Sequence, residues 1–191
     1  MPHIPLPEHL PGITGLLEYR LDTAMPIREL TQLLLRGEST LTQGERELIA
    51  TVVSARNCTN FCNAAHTKAA DILLGDNTIA AAVKADIETA PVSEKMKALL
   101  QIAALTQQSG RAVTPEAIAR AHASGATDRE IHDTVLIAAL FCLYNKYVDG
   151  MATIAPTDPA YYDTLGDRIV HRGYNRPPGG HPAPQRNHNN S

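Results

Sequence analysis

"LTQGERELIATVVSARNCTNFCNAAHTKAA", residues 41–70, carries two helix starts and three reactive side chains. Thr42 and Glu45 form a T-x-x-E capping box, in which each side chain satisfies the other's backbone N–H at a helix start. The helix it opens runs through "ERELIATVVSA" and breaks at Asn57. Cys58, Cys62 and His66 follow at four-residue spacing, so one uninterrupted helix would set all three on one face. With a restart after Asn57, Thr59 is suited to the N-cap and Cys62 falls at the third helical position. A thiolate there is stabilised by unpaired backbone N–H groups and the positive helix end. His66 lies one turn further on, placed to take the thiol proton.

The residues alone leave three readings open. Cys62 is a nucleophile with Cys58 as its resolving thiol; or "FCNAAH" is ordinary core, cysteine often serving as a small buried hydrophobe; or Cys58, Cys62, His66 and the distant Cys142 bind zinc. The ligand types suit zinc, but paired-knuckle spacing is missing. A Cys58–Cys62 bond requires Cα atoms within about 7 Å, which a turn-to-helix junction can supply. Cys142, inside an apolar stretch, is read as core.

Working outward, helix signals recur and strand alternation does not. Asp22 or Thr23 can cap a helix through "AMPIRELTQLLLR", with Leu30, Leu33 and Leu34 as its apolar stripe and Gly37 as its end. "AAHTKAADILL" continues to Gly75, and further helices are expected over 77–87 and 93–108. Thr114 and Pro115 open another. Thr127 and Glu130 make a second capping box, ahead of "EIHDTVLIAALFCLYNKYVDG". The two boxes hint at a duplicated helical unit. A short helix is expected over 158–172. The reading is an all-α domain of six to eight helices over 1–174. From 175 to 191 Pro, Gly and Asn dominate, and a disordered tail is expected. His181 and His188 are read there as solvated.

The 191 residues fit one domain with a sizeable core, and 43% are hydrophobic. A net charge of -3 gives no electrostatic case for nucleic acid. No apolar run approaches the ~20 residues needed to span a bilayer. The N-terminus has no signal-peptide pattern, and with only three cysteines a cytoplasmic location is expected.

With its E-R-E helix, an asparagine and a C-x-[YF]-C-x-x-x-H-like run, the chain resembles the alkylhydroperoxidase AhpD-like and carboxymuconolactone decarboxylase superfamily. The likeness spans roughly residues 10–174 and includes "TDREIHDTVLIAALFCLYNKYVDGMAT" (127–153). It implies an AhpD-like helical fold and a cofactor-free, cysteine-dependent peroxidase. Glu47 matches the relay glutamate, Cys62 the peroxide-attacking thiol, and His66 the histidine linking them. Thr59 occupies the position of the first motif cysteine, and Cys58 stands one residue earlier. The attacking half is thus intact and the resolving half displaced, leaving Cys58, Cys142 or an external thiol to resolve Cys62. Phe61 stands where some peroxidase members carry another histidine. The resemblance further implies a hydroperoxide substrate, a dithiol reductant (a lipoyl group or thioredoxin-like protein) and a homo-oligomer, trimer or hexamer. In such an assembly Asn145 and Asp149 are read as structural. The alternatives are a non-redox lyase like the carboxymuconolactone decarboxylases, and a catalytically silent helical oligomer.

Overall fold

The structure is a computed structural model and describes residues 1–181. Among them all regular structure is helical: α1 (Ile13–Tyr19), α2 (Leu21–Arg36), α3 (Gln43–Arg56), α4 (Asn60–Leu74), α5 (Ile79–Ala85), α6 (Glu94–Gln108), α7 (Pro115–Ala123), α8 (Asp128–Gly150) and α9 (Pro159–Arg172). A single 3-10 turn spans Gly110–Ala112. The count exceeds the expected range by one because of α1, a seven-residue helix too short to display a periodicity. It is held by burial of Leu16 and Leu17 and set off from α2 by the extended Arg20. Helix α2 starts at Leu21, and Asp22 does not cap it but pairs with Arg20 at 2.9 Å.

Helix α3 is the centre of the molecule, with every residue from Arg46 to Ser54 buried. A helix surrounded on all sides has no solvent stripe to show in its sequence. Its Leu48, Ile49, Val52 and Val53 share one core with Leu99 and Ile102 of α6 and with Ile137 and Phe141 of α8. A second, smaller cluster joins Phe61, Cys62, Ala65 and Ala69 of α4 to Leu16, Val148, Leu165 and Ile169. Cys62 therefore lies where α1, α8 and α9 converge on α4.

Two glycines permit that convergence. Gly12 has φ 60°, and the Phe61 ring occupies the space a side chain would need. Gly166 of α9 packs on Lys68 of α4, whose Cγ would stand 2.5 Å from an added Cβ.

Residues 175–181, expected to belong to the tail, are packed. Arg176 grips Glu18 of α1 at 2.8 and 2.9 Å, and His181 lies beside Arg168 of α9 at 3.2 Å. One ion pair and one hydrogen bond at the start of a polar segment outweigh its composition. Residues 182–191, including His188, lie outside the described residues. No helix among the described residues is long and apolar enough to cross a membrane.

Both capping boxes form as read, Thr42 with Glu45 and Thr127 with Glu130. Glu130 does more than cap, since Lys95 Nζ and Thr40 Oγ1 each donate to its Oε1 at 2.8 Å. Burial works to raise its pKa, but these contacts outweigh burial and hold it down at about 2. The ionised carboxylate thus stabilises the fold above its ordinary value of 4.5, and that contribution disappears as pH falls towards about 2. Denaturant unfolding of Glu130→Gln at neutral pH is expected to show a loss of roughly 2–3 kcal/mol. The difference from the parent should shrink on acidification through that window.

Candidate active site

The α3–α4 junction is a tight turn at Asn57, Cys58 and Thr59. Cys58 takes a left-handed φ of 57° and is exposed, while Thr59 and Cys62 are buried. The chain therefore reverses between the two cysteines, and no single helical face carries both. Thr59 holds the N-cap position of α4 but makes no capping bond. Its hydroxyl donates to Asp149 Oδ2 of α8 at 2.5 Å, a charged acceptor that outcompetes the backbone. Cys62 sits at the third helical position, as the sequence indicated.

Glu47, on the buried centre of α3, has no solvent contact. Its Oε2 lies 2.7 Å from His66 Nδ1. Its Oε1 accepts from Arg36 Nη2 at 2.6 Å and from the Tyr174 hydroxyl at 2.5 Å. Burial would raise the Glu47 carboxyl, but the charge and hydrogen bond of His66, with Arg36 and Tyr174, hold it below its usual range. Tyr174 is pushed well above its ordinary value by burial and by the Glu47 charge, so it remains a donor. An ionised Glu47 orients the ring: Nδ1 carries a proton towards Oε2, and in the neutral imidazole the lone pair falls on Nε2. The imidazole is further held edge-on against Phe141, ring centres 4.5 Å apart, and lies parallel to Tyr174 at 6.1 Å.

Cys62 is 2% exposed. Burial pushes its thiol up to about 12; a hydrogen bond from Asn145 works the other way and the Asp149 charge adds to the rise. Asn145 is itself tied into a chain of amides. Its Nδ2 donates to Ser54 Oγ at 3.2 Å, while its Oδ1 accepts from Asn57 Nδ2 at 2.9 Å. Gln107 Nε2 completes the run by donating to Asn57 Oδ1 at 2.7 Å. Cys142 is half-buried at the edge of this network, 3.7 Å from Asn57 Nδ2, and not plain core. Cys58, Cys62, His66 and Cys142 form no metal-ligating group among the described residues.

Cys62 and His66 open onto a pocket of about 80 Å³. Ile13, Leu17, Leu165 and Ile169 supply apolar wall, and Tyr174 and His181 come from the segment after α9. Sequence reasoning brought out Glu47 and His66, which the fold joins directly, and Cys62, which shares their pocket. It missed Arg36 and Tyr174 because nothing local marks a last-turn arginine or a tyrosine beside a tail. Asn145 did leave a signal, a polar amide inside an apolar helix, but was read as structural.

Glu47→Gln leaves the Arg36 guanidinium buried without its countercharge, and a loss of about 3–5 kcal/mol is expected. Tyr174→Phe removes one donor from a carboxylate that keeps two others, for a smaller loss of about 1–2 kcal/mol. Denaturant unfolding of both variants checks that order; a Tyr174→Phe loss equal to that of Glu47→Gln would contradict it.

Residues 24–71, the stretch that holds Glu47, Cys62 and His66, match the model of the carboxymuconolactone decarboxylase family. No curated protein matches the chain. Among solved structures, the fold is similar to that of an uncharacterized peroxidase-related protein from Silicibacter sp. TM1040, with a TM-score of 0.72 and 24% identity over 80% of this chain and 78% of the other. It is also similar to an uncharacterized peroxidase-related protein with an alkylhydroperoxidase AhpD core from Ralstonia eutropha JMP134. There the TM-score is 0.73 and identity 23%, over 82% of this chain and 80% of that one. The chain thus carries a segment similar to the carboxymuconolactone decarboxylase family, set in a fold similar to that of the two peroxidase-related structures.

Proposed function

We propose that the chain is a cofactor-free thiol peroxidase in which Cys62 is the nucleophile and His66, oriented by Glu47, is the base. The observation that carries this reading is the opening of Cys62 and His66 onto one pocket, with His66 Nδ1 anchored 2.7 Å from the buried Glu47. Cys62 Sγ attacks the distal oxygen of a hydroperoxide, the O–O bond breaks, and a sulfenic acid and an alcohol result. His66 Nε2 takes the thiol proton and returns it to the departing alkoxide. Because burial holds the thiol near 12, the proton leaves during the attack, not before it.

Cys62 sulfenic acid then condenses with a second thiol, releasing water, and a dithiol reductant such as a lipoyl group or a thioredoxin-like protein reopens the disulfide. Cys58, exposed beside the buried Cys62, is the resolving thiol of this reading. Such a cycle needs a reducing compartment, and the cytoplasm is the location proposed. A homo-oligomer is supported by apolar side chains left exposed on α2 and α8, Leu33 at 68% and Leu143 at 45%.

The buried, protonated Cys62 also favours a second reading, a non-redox lyase in which His66 and Glu47 perform acid–base chemistry on a lactone. Oxidation kinetics separate the two. Without peroxide, iodoacetamide should modify Cys58 well before Cys62. With hydroperoxide, mass spectrometry should locate sulfenic acid at Cys62, absent in Cys62→Ser and slowed at least ~100-fold in His66→Ala. A Cys62 that oxidises no faster than a free thiol removes the peroxidase reading and leaves the lyase.

A further inference from the structure

The pocket carries a cationic corner that the Cys62 and His66 chemistry does not use. Arg28 of α2, Arg168 of α9 and His181 all line it. Arg168 Nη1 lies 3.2 Å from His181 Nδ1. A guanidinium can only donate, so Nδ1 accepts and the imidazole proton sits on Nε2. That Nε2 is buried and makes no hydrogen bond among the described residues, where Glu18 Oε1 is the carboxylate oxygen beside it, at 3.9 Å. Arg28 Nε is likewise buried without a partner.

Glu18 has no capacity left over. Its Oε1 accepts from Arg28 Nη2 at 3.2 Å and from Arg176 Nε at 3.1 Å, and its Oε2 from Arg176 Nη2 at 2.8 Å. Arg168 makes no ion pair with a carboxylate among the described residues, so three guanidiniums face a single carboxylate here. Buried donors left without acceptors are costly unless something else satisfies them. The corner thus offers unpaired donors and positive charge, while Ile13, Leu17, Leu165 and Ile169 offer apolar wall.

We propose that Arg168, His181 Nε2 and Arg28 Nε form a carboxylate-binding subsite, and that the substrate is a short apolar hydroperoxide ending in a carboxylate. The substrate part rests on the Cys62 peroxidase reading; the subsite does not. An apolar body along the wall orients the molecule with its carboxylate at Arg168 and its peroxide at Cys62. One mobile negative charge suits the corner better than a dianion, because its one uncommitted guanidinium stands beside apolar side chains.

The test is calorimetric titration of the full chain with hexanoate, hexan-1-ol and inorganic phosphate. Hexanoate is expected to bind at least roughly tenfold more tightly than hexan-1-ol. That preference should vanish in Arg168→Gln and return in part in Arg168→Lys. Equal binding of acid and alcohol by the parent chain overturns the subsite whatever the variants do, and phosphate binding as tight as hexanoate overturns its carboxylate selectivity. Cys62 oxidation by 6-hydroperoxyhexanoate and by its methyl ester then tests the substrate. The acid should react about tenfold faster, with the ratio lost in Arg168→Gln. Hexanoate binding with no fast Cys62 oxidation by either peroxide keeps the subsite and overturns the hydroperoxide. Fast oxidation with no preference for the acid keeps the peroxidase and overturns the carboxylate requirement.

Discussion

A carboxylate without solvent contact at the centre of a helical core must be neutralised, and the answer to that constraint organises this protein. Glu47 draws on four elements at once: its own helix α3, Arg36 at the end of α2, His66 on α4, and Tyr174 beyond α9. A buried charge of this kind contributes little net stability once its desolvation is counted, but removing a partner is destabilising. Its larger effect is on geometry. Saturating Oε1 with two donors leaves Oε2 to His66, which fixes the face and tautomer of the imidazole one turn from Cys62. The C-terminal segment after α9 thereby becomes part of the site, through the hydrogen bond of the Tyr174 hydroxyl to Glu47.

Cys62 lives under the opposite regime. No cation among the described residues acts to lower its pKa, and the contact that favours its thiolate is the neutral amide of Asn145. Asn145 is held by Ser54 and Asn57, and Asn57 by Gln107, so three helices determine where that amide points. The thiol is consequently protonated and shielded. The exposed Cys58 shares none of this shielding, so the two neighbouring cysteines differ in chemistry as well as position.

The sequence by itself determined the helical class, most helix starts and the one-turn separation of Cys62 and His66. These depend on short-range rules: a capping box satisfies N–H groups three residues away, proline and glycine end helices locally, and four-residue spacing places Cys62 and His66 one turn apart. The resemblance added Glu47, which local reading alone would have left as a first-turn acid beside the capping Glu45. Only the tertiary structure decided which partners those residues meet. Thr59 abandoned its cap for Asp149, Arg36 and Tyr174 were recruited to Glu47, residues 175–181 packed despite a tail-like composition, and the thiol of Cys62 went up where helix position alone argued for down. Each of these outcomes follows from burial and from charges contributed by elements remote in sequence. Desolvation and long-range pairing depend on what surrounds a side chain, and no spacing along the chain encodes them.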